Sequence, residues 1–379
     1  MSQPKPIAIV GQGIAGTALA LALLREGHDD LHLFGPSGAA LAGHKDPGVV
    51  ILPPNATRVL YALGLREALA EHAIAPAHLI EREADSGRIW GEVPLAGLLE
   101  ARHGAPLLVI PYARLHSLLA RQLARADVRT DLRTHLHTDD HRLLATADVT
   151  DCFRDFSLVA VATGARPQTP GFADAPVCEP VHGAVVQTTT DTDAPALKQA
   201  ALTLWFDTQQ ELWTHSNTDT GGLTLTASRA VQPERLHPSL LERWQSGSQQ
   251  ATRRYAIPIS DRWHQRHCVR FGGARGGTDR EGAFGVALAL EDAWVLSRLI
   301  DQHRDDPTQL GHEFEHYRRP RLIQLAHKLE EQRRSRLDGS SATRRLRQIL
   351  SILGHRFLPE VAYQQRDWLF GYDAVRGFR

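Results

Sequence analysis

Short apolar runs and one-sided apolar stripes divide this chain into recognisable elements. Ile7-Ala8-Ile9-Val10 is a continuous apolar run that predicts a buried strand, and an Ala/Leu-rich helix follows it directly. Leu31–Phe34 predicts a second strand, and 56–63 a helix. Two alternating runs, Ile80–Trp90 and Glu92–Pro94, predict a hairpin turned at Asp85-Ser86-Gly87-Arg88. Arg114–Ala126 carries leucines at 115, 118, 119 and 123, the stripe of an amphipathic helix. Leu158–Val161 is another buried strand, ending in Ala162-Thr163-Gly164. Between 180 and 260 the pattern becomes short and alternating, as in Leu202–Phe206, Leu212–His215 and Leu223–Ala227, which suits a mostly antiparallel sheet with one exposed face. Cys268–Phe271 returns to a buried strand, followed by a Gly-rich loop and a helix over Gly285–Ile300. The remainder is helical, interrupted at Pro307, Pro320, Gly339 and Pro359. The expected architecture is α/β: a Rossmann-like lobe assembled from residues 1–75, 101–178 and 261–305, an inserted sheet lobe from 76–100 and 179–260, and a C-terminal helical region from 306 to 379.

The first strand runs into Gly11-Gln12-Gly13-Ile14-Ala15-Gly16, which has the G-x-G-x-x-G spacing. Gly11 allows the tight turn, Gly13 lets a pyrophosphate approach the backbone, and Gly16 lets the helix pack close to the strand. The helix N-terminus around Ile14 and Ala15 offers unbonded N–H groups and a positive dipole end to an anion. Strand, glycines and helix in that order predict a bound dinucleotide. Such a unit ordinarily ends its second strand in Asp or Glu, which accepts from the ribose hydroxyls. Here Gly35-Pro36-Ser37 stands at that place, and Asp29 and Asp30 lie at the wrong end of the strand.

A formal net charge of zero argues against general nucleic-acid binding. No apolar run approaches the roughly 18 residues that span a bilayer, and no signal-peptide pattern precedes the first strand, so a soluble cytoplasmic protein is expected. Cys152, Cys178 and Cys268 lack metal-site spacing and suit a reducing compartment. No metal site is expected. The Arg-rich stretch from 318 to 347 reads as a solvated helical face paired with Glu330 and Glu331.

Several further segments, in order, resemble the single-component FAD-dependent aromatic monooxygenases, the group of salicylate and para-hydroxybenzoate hydroxylases. Leu52-Pro53-Pro54-Asn55-Ala56 running on to Leu63-Gly64-Leu65 is similar to that family's segment after the second strand. Gly104-Ala105-Pro106 with Arg114-Leu115-His116 is similar to its helix entry, and Trp263 with Val269-Arg270-Phe271-Gly272 to its late strand. Ala289-Leu290-Glu291-Asp292-Ala293 matches its A-x-E-D-A helix, and Tyr317–Arg321 and Asp367–Asp373 resemble its C-terminal tail. The departures fall where the family touches FAD. The acid after strand two is Gly35, the arginine of R-x-x-L is Tyr112, D-G is Thr163-Gly164, G-D is Gly272-Gly273, and G-Q-G is Ala283-Phe284-Gly285.

The resemblance implies FAD bound by Gly11, Gly13, Ile14, Ala15, Gly16, Thr163, Gly164, Gly272, Gly273 and Gly285, NAD(P)H as reductant, and hydroxylation of a small, mainly aromatic substrate by O2. The altered positions imply weakened FAD binding, which restoring an acid by Gly35→Glu should improve. They equally suit another class of function, a non-redox descendant of the fold that binds a small molecule, serves as a partner subunit or runs flavin-free chemistry. Arg275 and Arg280 sit among glycines before a helix and suit an anion, either the cofactor's pyrophosphate, with Arg275 as a further cofactor-binding residue, or a substrate carboxylate, or else a solvated loop paired with Asp279 and Glu281. Trp205, Trp213, His215 and Tyr255 lie on or beside the expected sheet and are the candidate substrate residues, with His215 a candidate base.

Overall fold

The computed structural model describes residues 5–36, 48–127, 133–137, 153–164, 172, 179–187, 201–207, 210–216, 223–227, 230–277, 284–303, 306–337 and 359–378. Two large sheets organise it. The first holds β1 (Ile7–Val10), β2 (Leu31–Pro36), β7 (Arg133–His137), β8 (Leu158–Val161), β14 (His264–Gln265) and β15 (Cys268–Arg270) in the order β14-β15-β8-β1-β2-β7. All but β14 run parallel. The four strands read from the sequence at 7, 31, 158 and 268 therefore share one sheet, with β1 between β2 and β8. Chain order reverses beside β1, and in open parallel sheets a ligand binds outside the carboxyl ends of the strands at such a point.

Helix α1 (Ile14–Arg25) buries nearly every residue, because it is apolar all round. It packs against α5 (Tyr112–Asp127) and α7 (Gly285–Gln302). Each fully buried leucine here stabilises the fold by about 1.5–3 kcal/mol, and α1 supplies Leu19, Leu21 and Leu23 at no more than 1% exposure. The short ribbon of β3 (Val49–Leu52) and β6 (Leu108–Pro111) leads into α2 (Pro54–Ala62) and α5. Short helices α3 (Arg66–His72) and α4 (Leu98–His103) complete this part.

The second sheet has seven strands in the order β13-β9-β12-β11-β10-β4-β5. They are β4 (His78–Glu83), β5 (Ile89–Pro94), β9 (Glu179–Gln187), β10 (Ala201–Phe206), β11 (Glu211–Ser216), β12 (Leu223–Ala227) and β13 (Ser248–Ala256). β4 and β5 form the expected hairpin, and β4 joins β10 in parallel while the other pairs are antiparallel. The expectation of one exposed face fails in the middle of this sheet. Leu223-Thr224-Leu225-Thr226-Ala227 is buried throughout. Its leucine face packs with Leu236 and Leu240, from the turn before and the body of α6 (Pro238–Ser246). Its threonine face turns the other way, where the backbone of Gly48 crosses it.

Helix α8 runs unbroken over Pro307–Leu337, through Pro320, which the sequence reading takes as an interruption. Proline removes one backbone donor, and the adjacent Arg318, Arg319 and Arg321 pin both sides of that position to other elements. Helices α9 (Pro359–Phe370) and α10 (Ala374–Gly377) end the chain. Arg58 of α2 clamps this tail, donating to the carbonyls of Phe370 at 2.9 Å and Tyr372 at 2.5 Å. Among the described residues no helix is long and apolar enough to cross a membrane.

Candidate functional site

The site is built from loops at the carboxyl ends of β1, β2, β8 and β15. The G-x-G turn follows β1. A Cβ on Gly11 would lie 2.3 Å from the Ala162 carbonyl oxygen, and one on Gly16 only 1.8 Å from the Gly11 carbonyl oxygen. Both positions are thus closed to any side chain. Gly13 differs. Among the described residues the nearest atom to a Cβ there is the Tyr112 hydroxyl oxygen at 3.7 Å, so these residues leave the space in front of Gly13 open. Gly13 caps α1 with no acidic residue in the first turn, and Ile14, Ala15 and Gly16 begin the helix. A helix N-terminus of this kind, with its first N–H groups uncapped by any side chain, is suited to an anion.

The turn after β8 places Thr163 and Gly164 beside it. Among the described residues nothing lies within 4 Å of a Cβ on Gly164, and the Thr163 hydroxyl is buried without a hydrogen-bond partner. After β15, Gly272 wedges between the two helix starts, its Cβ position 3.2 Å from Ala15 and 3.3 Å from Ala289. Gly13, Gly164 and Gly272 therefore border one region. The Gly272 N–H does not face a ligand, since it donates to Asp292 Oδ2 at 3.0 Å. Gly273 is half-buried in the following turn, and Gly285 opens α7.

Arg275 is not the anion-binding or solvated residue expected. It is 1% exposed, donates to Asp292 Oδ2 at 2.6 Å and to the Gly276 carbonyl at 2.8 Å, and lies over the Trp263 ring. The physical reason is a buried carboxylate next door. Asp292 and Glu291, both fully buried on α7, require cations. Arg318 donates to Asp292 Oδ1 and to Glu291 Oε2, each at 2.7 Å, Arg321 reaches Glu291 Oε1 at 3.2 Å, and Asn55 donates to the same oxygen at 2.6 Å. Burial alone would raise both carboxyls. Arg321 and Arg318 hold Glu291, and Arg275 and Arg318 hold Asp292, below their ordinary values. Asp292 thereby fixes the Gly272 turn. An acidic pair inside an apolar helix was the sequence signal for this network. Residues 278–283, with Asp279, Arg280, Glu281 and Ala283, lie outside the described residues. On α8 the expected solvated pairing is present further along, where Arg333 and Arg334 meet Glu330 and Lys328 meets Glu331, while residues 338–347 lie outside the described residues.

At the end of β2, a Cβ on Gly35 would sit 2.4 Å from Gln12 Cγ and 2.7 Å from Gln12 Cβ. Gln12 packs against the position from which a side chain at residue 35 would start. A side chain at residue 35 therefore requires Gln12 to move, so Gly35→Glu does more than add a ligand. The Gln12 carbonyl accepts from His116 Nε2 at 2.6 Å, and His116 stacks parallel to Tyr112.

The candidate substrate residues separate by strand alternation. Trp213 and His215 lie on one face of β11, with Thr226 and Thr224 opposite them on β12. Trp205 lies on the other face, opposite Leu212, its indole donating to Thr214 Oγ1 at 3.0 Å and packed with Leu236 and Leu240. It cannot line a cavity shared with Trp213 and His215, because successive strand residues point to opposite faces. Tyr255 on β13 pairs in register with Pro180 on β9, and its side chain lies outside the described residues. The Trp213–His215 face is the one that meets the first lobe: Trp213 packs on the main core, and a Cβ on Gly48 would lie 3.2 Å from Thr226 Oγ1. The Gly48 carbonyl accepts from Tyr112 N–H at 2.8 Å, and Tyr112 stands over Gly13. Thr226 was missed because its strand reads as half-exposed. Its hydroxyl is buried without a hydrogen-bond partner among the described residues.

Comparison with known proteins bears on the fold. No family model matches the chain. A stretch of 124 residues is 31% identical to the 6-hydroxynicotinate 3-monooxygenase of Pseudomonas fluorescens, covering 32% of this chain and 31% of that enzyme, so the match spans under a third of the relative. Solved structures match nearly end to end. The p-nitrophenol 4-monooxygenase PnpA of Pseudomonas putida DLL-E4 superposes with a TM-score of 0.74 at 14% identity, covering 97% of this chain and 98% of that one. Klebsiella pneumoniae HpxO complexed with FAD and uric acid superposes with a TM-score of 0.67 at 16% identity, covering 95% and 96%. The chain has the fold of the single-component FAD-dependent aromatic monooxygenases, the resemblance already carried by its motifs.

Proposed function

We propose that this protein is an FAD-dependent monooxygenase that hydroxylates a small aromatic compound, with NAD(P)H as reductant and O2 as co-substrate. The observation that carries the reading is the run of contacts from Thr226 through Gly48 and Tyr112 to Gly13. It sets a buried polar sheet face against an open dinucleotide turn. The residues present fit such a cofactor: Gly13 and Gly164 leave backbone open, and the Thr163 hydroxyl is buried without a partner among the described residues. The amides of Ile14, Ala15 and Gly16 would hold the pyrophosphate, with Tyr112 and Thr163 as neutral donors beside it. Bound FAD supplies the electron transfer and O2 chemistry that side chains lack.

The protein's own part is to bind, orient and exclude water. Trp213 gives an apolar wall, and Thr224 and Thr226 give hydroxyls on the same buried face. His215, 5% exposed on that face, would accept the proton of a phenolic hydroxyl, since imidazole ordinarily titrates near neutrality. The test is to supply FAD and NAD(P)H and measure reductant oxidation and hydroxylated product across phenols and aromatic acids. Stimulated turnover with product supports the reading. A second reading, a non-redox descendant, is favoured by the absence of carboxylates at Gly35 and Gly273. It predicts a folded protein that binds no FAD and hydroxylates nothing.

A further inference from the structure

Gly35, next to the last residue of β2, bears no side chain, yet the space beside it is not empty. Gln12 enters it from the neighbouring turn, with Cγ 2.4 Å and Cδ 2.7 Å from where a Cβ on Gly35 would stand. Its backbone is held at the carbonyl, which accepts from His116 Nε2 at 2.6 Å and from the Thr17 hydroxyl at 3.2 Å. The residue is half-buried. We propose that Gln12 binds the adenosine ribose of the dinucleotide in place of the carboxylate that this fold ordinarily sets at the end of its second strand. The inference rests on the FAD reading above.

The chemistry of the amide suits a vicinal diol. A carboxylate offers only acceptors, whereas Gln offers a carbonyl acceptor and an NH2 donor on one planar group. One ribose hydroxyl would donate to Oε1 and the other accept from Nε2. A neutral group also brings no negative charge beside a pyrophosphate on the same turn. The cost is strength, because a neutral hydrogen bond contributes less than a charge-assisted one. The expected weakness of FAD binding and the missing acid would then have one cause. Gln12 and a side chain at residue 35 exclude each other, so a chain that uses Gln12 must keep glycine at 35.

The test is flavin-fluorescence titration of the full-length protein with FAD, together with displacement by ADP and by 2′-deoxy-ADP. Wild type should bind FAD, and ADP should displace it about fivefold better than 2′-deoxy-ADP, the worth of one hydrogen bond. Gln12→Leu keeps the size of the side chain and removes its polar atoms. It should weaken FAD about five- to thirtyfold and abolish the preference for ADP. The double variant Gln12→Gly/Gly35→Glu clears the collision and supplies the acid, so it should bind FAD more tightly than Gln12→Gly alone. Thermal unfolding without flavin should show the single variants folded. Gln12→Leu that binds FAD like wild type, or keeps the ADP preference, overturns the inference and leaves the FAD reading standing. A folded wild type that binds no FAD overturns that reading first.

Discussion

Gly13 and Gly16 stand in the same turn, yet each reports a different property. Gly16→Ala would drive a Cβ to 1.8 Å from the Gly11 carbonyl oxygen, so the expected outcome is loss of the fold, seen as loss of the cooperative unfolding transition. Gly13→Ala meets nothing closer than the Tyr112 hydroxyl at 3.7 Å, and Gly13 has φ −70°, which alanine accepts. It should fold like wild type and lose FAD affinity by about tenfold or more, equivalent to about 1.4 kcal/mol. Equal affinity in a folded Gly13→Ala would remove this turn from the site. These glycines were legible in the sequence because spacing alone dictates backbone approach. The role of Gln12 was not, since it depends on a side chain crossing from one strand end to the next. The same crossing predicts that Gly35→Glu by itself lowers stability, measurable by denaturant titration.

Among the elements, α7 carries the heaviest demand. Its Asp292 joins the Gly272 turn to Arg275 and Arg318, so Asp292→Asn leaves buried guanidinium charge uncompensated. Breaking such a pair from one side costs about 3–5 kcal/mol, and denaturant unfolding should show a loss of that size together with weaker FAD binding. A loss below about 1 kcal/mol would mean that the pair is solvated. The pH dependence has a definite sign. Glu291 and Asp292 are held below their ordinary values in the folded protein, the first by Arg321 and Arg318, the second by Arg275 and Arg318. Their contribution is complete above the unfolded carboxylate range, about pH 4, and disappears as pH falls through the folded values. Asp292→Asn should therefore flatten the acid limb of stability against pH. The Glu-Asp pair was visible in the sequence as a motif. Its partners were not, because Arg275, Arg318 and Arg321 come from a loop and a helix that only tertiary folding brings to it.

At the scale of the molecule, the two sheets meet through Gly48 and Tyr112, and the proposed function rests on that junction. The parallel sheet was legible because buried parallel strands read as continuous apolar runs. The second sheet was legible as strands but not as a buried layer, since alternation in Leu223–Ala227 reads the same whether threonines face water or another lobe. Thr226 tests that distinction. Thr226→Val removes a buried hydroxyl that has no hydrogen-bond partner among the described residues. It should leave stability unchanged or raise it by up to about 1 kcal/mol, while raising KM for an aromatic substrate about fivefold through one lost hydrogen bond. An unchanged KM would take Thr226 out of the substrate face. The central claim is that the open turn at Gly13 still serves FAD. The most direct measurement is an equilibrium titration of the purified, folded protein with FAD. Saturable one-site binding in the micromolar range, weakened in Gly13→Ala, is the predicted result. A folded protein that shows no saturable binding would contradict it.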